Sequence, residues 1–211
     1  MKKKTRNILL SILIGAFLLC AIVGGTVYYY LFAPQFHPSK TVYVYIDRDD
    51  TADSIYNKIR QTGHVNQFTG FLWMAKYKKL NQNIHTGRYA IRPNDNVYHV
   101  FSRLSRGYQE PINLTIGSVR TLDRLARSVG KQLMIDSAEI ARHLFDSTFQ
   151  AEMGYTPITM ACLFIPETYQ VYWDMSVDDF FKRMQTEHQR FWNNERLARA
   201  TAIGMTPEEV S

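Results

Sequence analysis

Hydrophobic residues follow two different patterns along this chain. From Ile8 to Phe32 they are nearly continuous, 25 residues without a charge, where a helix needs roughly 20 to cross ~30 Å of hydrocarbon. From Thr41 onward they recur at intervals of two, three or four, the mark of strands and helices that bury one face. The first pattern predicts a membrane-spanning helix over residues 8–32. A cleavable signal peptide has a core of roughly 7 to 15 apolar residues followed by a small-x-small site. Here the core is longer and runs into Tyr28, Tyr29, Tyr30 and Phe32, as an aromatic belt at a membrane surface would. Leu19, before Cys20, is too large for a lipoprotein cleavage position. The segment is therefore expected to stay as an anchor, ending at Ala33-Pro34 because proline drives the preceding residue out of helical geometry.

Residues 33–40 read as a tether. Thr41 to Ile46 (TVYVYI) alternates β-branched and aromatic residues and predicts a strand. Asp50 or Thr51 then caps a helix with Ile55, Tyr56 and Ile59 inward and Gly63 as its end. A second helix is predicted from Gln67 to Lys78, with Phe68, Phe71, Leu72 and Ala75 on one side, and Gly87 to Ile91 as a returning strand. This βααβ order lets two strands pair while both helices cover one face. A helix from Asn96 to Ser105 closes the subdomain, giving it the bounds 41–106. A second domain, 107–211, is predicted to start with a strand at Pro111 to Ile116 and helices at Thr121 to Val129 and Ser137 to Phe145. Its longest element is a single helix from Val177 to Ala202, carrying Phe180, Phe181, Met184, His188, Phe191 and Trp192 on one stripe. With no partner for that stripe, Phe181, Phe191 and Trp192 would be exposed, and the fragment from Pro111 to Ser211 is expected to aggregate. The fold class expected from these elements is α+β behind one transmembrane helix.

With 211 residues, 45% hydrophobic and 21% charged, the chain is neither disordered nor collagenous and has bulk for one sizeable domain or two small ones. Its 25 Lys and Arg against 19 Asp and Glu give +6, but Lys2, Lys3, Lys4 and Arg6 precede any acidic residue, and without these four the excess is +2. No nucleic-acid partner is expected, since phosphate neutralisation needs positive charge gathered on a folded face. The basic tail, residues 1–7, instead sets topology: a cytoplasmic N-terminus, with the bulk of the chain periplasmic or extracytoplasmic. Cys20 and Cys162 are poorly placed to pair, so stability is left to packing.

Several chemistries find no support. The acidic run Asp47 to Asp53 has Ala52 where a calcium loop needs glycine and Lys58 where it needs glutamate, so it reads as a solvated turn and helix cap. The six histidines show no HExxH or paired spacing and neither cysteine has a CxxC partner, so no metal site and no cofactor is expected. There is no GxSxG, P-loop or GxGxxG.

The segment Leu163-Phe164-Ile165-Pro166-Glu167-Thr168-Tyr169, followed by Val171-Tyr172-Trp173, resembles the signature of the YceG-like family, the endolytic murein transglycosylases of the MltG type. Glu167 stands where that signature usually has Asp, and Ala161-Cys162 where it often has Glu-Gly. The basic tail, the anchor, a LysM-like βααβ subdomain, Gly87-Arg88-Tyr89 ahead of a helix, and Met205 to Val210 are similar to that family as well. The resemblance implies a plasma-membrane enzyme that cuts nascent peptidoglycan strands and leaves 1,6-anhydromuramyl ends. The muramic acid's own C6 hydroxyl attacks C1, so one carboxyl group can serve as acid and base. It also implies that the catalytic glutamate lies a few helical turns past Thr206-Pro207, beyond Ser211, so no catalytic residue is expected within the chain. Glycan strands are the expected substrate, membrane lipid contacts Ile8 to Phe32, and peptidoglycan synthesis enzymes are a further expected partner class. The alternative is a non-catalytic, membrane-tethered glycan-binding or cell-wall assembly scaffold.

Three residues are substrate-binding candidates: Glu167, Tyr169 and Tyr172, an acid between apolar and aromatic neighbours whose rings could stack on sugars. Each has a structural alternative, since Glu167 could hold the turn after Pro166 and both tyrosines could be core. Glu208 and Glu209, after Thr206 as N-cap and Pro207 as first helical residue, are expected to be solvated and to complement a helix dipole. His188 reads as a core or boundary histidine.

Overall fold

The computed structural model describes residues 2–80, 85–118 and 120–210, with the side chains of 2–6, where the basic cluster falls, outside that description. The chain divides into two compact units, Met1–Gln109 and Glu110–Ser211. Both mix helices with a two-stranded sheet, so the α+β expectation holds.

The first unit begins with α1 (Lys2–Leu31), of which Asn7–Leu31 is long and apolar enough to span a membrane and is not buried against protein. There follow β1 (Val42–Ile46), α2 (Ala52–Gly63), α3 (Thr69–Tyr77), β2 (Gly87–Ile91) and α4 (Val97–Ser105). β1 and β2 pair antiparallel with Val44 opposite Tyr89. Ile55, Ile59, Phe71, Val97 and Phe101 of the three helices pack with Val44, Ile46 and Ile91 in one core. Of the two caps expected for α2, Thr51 acts, its Oγ1 accepting from the Ser54 N–H (3.2 Å), and Asn96 caps α4, its Oδ1 accepting from the His99 N–H (2.8 Å). Asp50 is not the cap. Its burial opposes ionisation, but hydrogen bonds from Lys58, Ser54 and the Asp47 N–H outweigh that and hold its carboxyl below the usual range.

Residues 34–36, read from the sequence as part of a tether, are fastened instead. Phe36 is fully buried, the N–H groups of Gln35 and Phe36 donate to the Asp95 carbonyl (3.1 Å each), and Gln35 Nε2 donates to the Tyr29 carbonyl (2.9 Å). The end of α1 is thereby tied to the βααβ body within this unit.

The second unit contains β3 (Ile112–Ile116), α5 (Leu122–Gly130), α6 (Ser137–Phe145), α7 (Ser147–Glu152), a 3₁₀ turn (Met160–Leu163), β4 (Glu167–Val171), α8 (Val177–Phe191), α9 (Asn194–Ala202) and α10 (Pro207–Val210). β3 and β4 pair antiparallel with Leu114 opposite Tyr169. Two expectations are corrected. The single helix from Val177 to Ala202 is two helices, because the chain leaves helical geometry at Trp192 and Asn193 restarts it, its Oδ1 accepting from the Arg196 N–H (3.0 Å). The aromatic stripe is not bare either: Phe181 is 1% exposed, packed edge-on against Phe149 (4.8 Å between centroids) and beside Phe164 and Phe180, and Trp192 is also buried.

Candidate functional site

The signature segment leads from the 3₁₀ turn into β4 and divides by direction. Leu163 is in the core, and Phe164 both stacks on Phe180 (6.0 Å, 20° between planes) and shares a cavity wall with the two residues after it. Ile165 and Pro166, at the approach to the strand, line a cavity of about 700 Å³ in the second unit. Its other walls come from the loop before α5 (Gly117, Ser118, Arg120), the start of α5 (Thr121, Leu122, Leu125), Cys162, the end of α8 (Phe191, Trp192), α9 (Arg196, Arg199, Ala200), and Ile203 and Val210. The floor is apolar and the rim carries three arginines. No Asp or Glu is among the described residues that line it. Arg196 is pre-positioned, donating to the Phe191 carbonyl (2.7 Å) with its guanidinium 4.1 Å from the Phe191 ring centroid. Arg199 donates to Glu195 (2.6 Å), an exposed pair that adds little stability and leaves the guanidinium open to other anions.

A polar cluster lies at this wall. Cys162 Sγ donates to the Glu208 carbonyl (3.5 Å), and the Tyr155 hydroxyl meets His188 Nδ1 (3.3 Å). Burial, reinforced by the Glu208 charge, pushes the Cys162 thiol and the Tyr155 phenol up. Burial pushes His188 down, against the pull of Glu208. All three therefore sit in their neutral forms near neutral pH, which suits hydrogen bonding and denies Cys162 the thiolate a nucleophile needs. His188 Nε2 and Trp192 Nε1 are buried without a hydrogen-bond partner among the described residues. Glu208 is half-buried rather than solvated, whereas Glu209 is exposed and closes a capping box, accepting from the Thr206 N–H (2.7 Å) while Thr206 Oγ1 accepts from the Glu209 N–H (3.3 Å).

None of the three candidates from the sequence lines the cavity. Glu167 is exposed at the start of β4, its Oε1 accepting from the adjacent Thr168 N–H (3.0 Å). Tyr169 is 6% exposed and its hydroxyl donates to the Ile165 carbonyl (2.6 Å), which fixes the bend that presents Ile165 and Pro166. Burial, with Glu187 and Glu167 nearby, pushes its phenol up to about 12. Tyr172 lies past the end of β4 and is 55% exposed. The strand thus brings Glu167 and Tyr169 onto one face without joining Tyr172 to them. The residues the sequence missed, Tyr155, Cys162, Arg196 and Arg199, come from turns and helix ends whose meeting has no local signal. Among the described residues no group of three His, Cys, Asp or Glu is placed to hold a metal ion.

The model of the YceG-like family matches residues 44–211, which takes in β1 through α10. The chain belongs to the YceG-like family. Its signature is therefore the segment that turns the YceG-like chain from the cavity wall into β4. A solved structure of a YceG-like protein, lmo1499 from Listeria monocytogenes, is similar at 20% identity and a TM-score of 0.45. The match covers 81% of this chain and 61% of that one, so this chain spans about three fifths of that structure's length. No curated protein matches.

Proposed function

We propose that this protein works in the endolytic cleavage of nascent peptidoglycan at the outer face of the bacterial plasma membrane, a lytic transglycosylase reaction that leaves 1,6-anhydromuramyl ends. The observation that carries this is the family match over residues 44–211, preceded by a helix long and apolar enough to span a membrane. In this reading α1 crosses the bilayer with its basic end in the cytoplasm, and tethering raises the local concentration of the chain at membrane-proximal glycan. In this reading the cavity of the second unit takes the glycan: Phe191 and Trp192 lend apolar edges to its wall, and Arg120, Arg196 and Arg199 face the carboxylates of muramyl lactyl groups and peptide stems.

The general acid for such a reaction is a glutamic acid kept partly desolvated so that it holds its proton near neutral pH. Among the described residues no Asp or Glu lines the cavity, so in this reading they hold and orient glycan without transferring the proton. That observation also favours the second reading, a membrane-tethered glycan-binding or assembly module. Incubation of the purified 211-residue chain with isolated peptidoglycan tests both. The expected outcome is co-sedimentation with the polymer, weakened severalfold by Arg120→Glu with Arg199→Glu, and no anhydromuramyl product by mass spectrometry. Anhydromuramyl products would place an acid within this chain, and failure to co-sediment would remove the glycan reading.

A further inference from the structure

We propose that α3 lies on the membrane: its exposed Trp73, Tyr77 and the lysines around them form a second lipid contact, seating the βααβ body on the anionic leaflet from which α1 emerges. The inference rests on α1 being a membrane anchor and goes beyond it, because spanning the bilayer does not by itself put α3 in contact with lipid.

Depth is the first argument. A helix rises about 1.5 Å per residue, so ~30 Å of hydrocarbon entered near Ile8 ends near Tyr28, and residues 28–32 sit at headgroup level. Tyr28, Tyr29 and Phe32 are all exposed there. The second argument is proximity. Gly70 of α3 packs against Tyr30 so closely that a Cβ on it would lie 2.2 Å from the Tyr30 carbonyl oxygen. Gly70, Trp73, Met74 and Tyr77 follow one another at helical spacing of three and four, so the stripe that begins on Tyr30 continues beside Leu31, with which Trp73, Met74 and Tyr77 line a shallow groove. The contacts of Gln35 with Tyr29 and Asp95 hold this arrangement within the unit.

Composition is the third. Trp73 is 60% and Tyr77 82% exposed, which is costly in water and favourable at a lipid interface, where Trp and Tyr concentrate. Lys76, Lys78 and Lys79 surround them, all exposed, and no acidic residue occurs between Asp53 and Asp95. Lysine stems can lie along the apolar surface while the ammonium groups reach lipid phosphates. Each lysine near an anionic surface adds roughly fivefold to the binding constant.

The test uses the full chain in vesicles of phosphatidylethanolamine with phosphatidylglycerol. Emission from Trp73 is isolated as the difference between the wild type and Trp73→Phe, an exposed substitution that leaves the core untouched. Lipid carrying a headgroup nitroxide is expected to quench that emission, and the neutral quencher acrylamide to quench it severalfold less than in the urea-unfolded chain. Replacing Lys76, Lys78 and Lys79 by Glu is expected to restore acrylamide access while the chain still floats with the vesicles. A chain that floats with Trp73 as open to acrylamide as in urea overturns the α3 contact and leaves the anchor standing. A chain that fails to float overturns the anchor and the contact together.

Discussion

Each unit encloses helices between two five-residue strands that pair antiparallel, followed by one helix in the first unit and three in the second, but the two leave apolar surface bare in different shapes. In the first unit the bare residues, Trp73, Tyr77, Phe32 and Tyr98, lie around the end of α1 with lysines nearby. In the second, Ile203 and Val210 are bare at a concavity of about 700 Å³ whose lining includes three arginines. A lipid surface imposes no shape and rewards a spread of aromatic and cationic side chains, whereas a concave floor with fixed guanidinium groups selects a ligand by form and charge. One chain thus carries two kinds of exposed apolar surface suited to two kinds of partner.

The comparison breaks most sharply in the cores. Phe180 is fully buried between Phe164 and Phe181, and Phe180→Ala should destabilise the second unit by about 3–5 kcal/mol, transfer and cavity terms together. Hydrogen exchange followed by mass spectrometry should show the loss in α5, α6 and β4 while β1, β2 and α4 keep their protection. Equal loss in both units would mean that they unfold as one. A smaller effect is expected from Gly70→Ala, where the new methyl meets the Tyr30 backbone and must move α3 or α1, at about 1–3 kcal/mol. Gly24→Ala, in open space on α1, is its control. Proteolysis of the vesicle-bound chain should then cut near α3 in the first variant and not in the second.

What could be read from the sequence follows from how local each signal is. α2 was legible because Thr51, Ile55, Ile59 and Gly63 carry cap, face and stop within one stretch of chain, and the same holds for α4 to α6. β4 was not, since its alternation is short and its partner β3 lies across three helices and a turn. The break between α8 and α9 was hidden by a stripe that runs on through Phe191 and Trp192, although Asn193 with Glu195 two residues on is a helix-start signal. Asn193→Ala should therefore cost about 1 kcal/mol, with amide exchange rising at Arg196 and Leu197. Of the site, Ile165 and Pro166 lay inside the recognised segment, but the strand turns the three chosen side chains elsewhere. The arginine rim is a tertiary property with no trace in spacing.

The smallest predicted effect distinguishes the cavity wall by pH. The ring of His188 is half-buried and its pKa lies below the ordinary value of 6.5, so the unfolded chain binds its proton more readily than the folded one. The stability this contributes is complete above pH 6.5 and is lost as pH falls through the lower folded value. Tyr169 works in the opposite sense at the other end of the scale. Its phenol is raised from 10.0 to about 12, so the folded state resists ionisation and loses stability as pH climbs between those values. Urea midpoints of the second unit should thus fall on the acid side in the wild type and fall less in His188→Gln, while Tyr169→Phe flattens only the alkaline limb. Tyr155 and Cys162 border the same wall in neutral form, so burial opposes the protonation of His188 more strongly than the Glu208 charge favours it. An acid limb unchanged by His188→Gln would assign the loss to other groups and leave the wall cluster a packing feature.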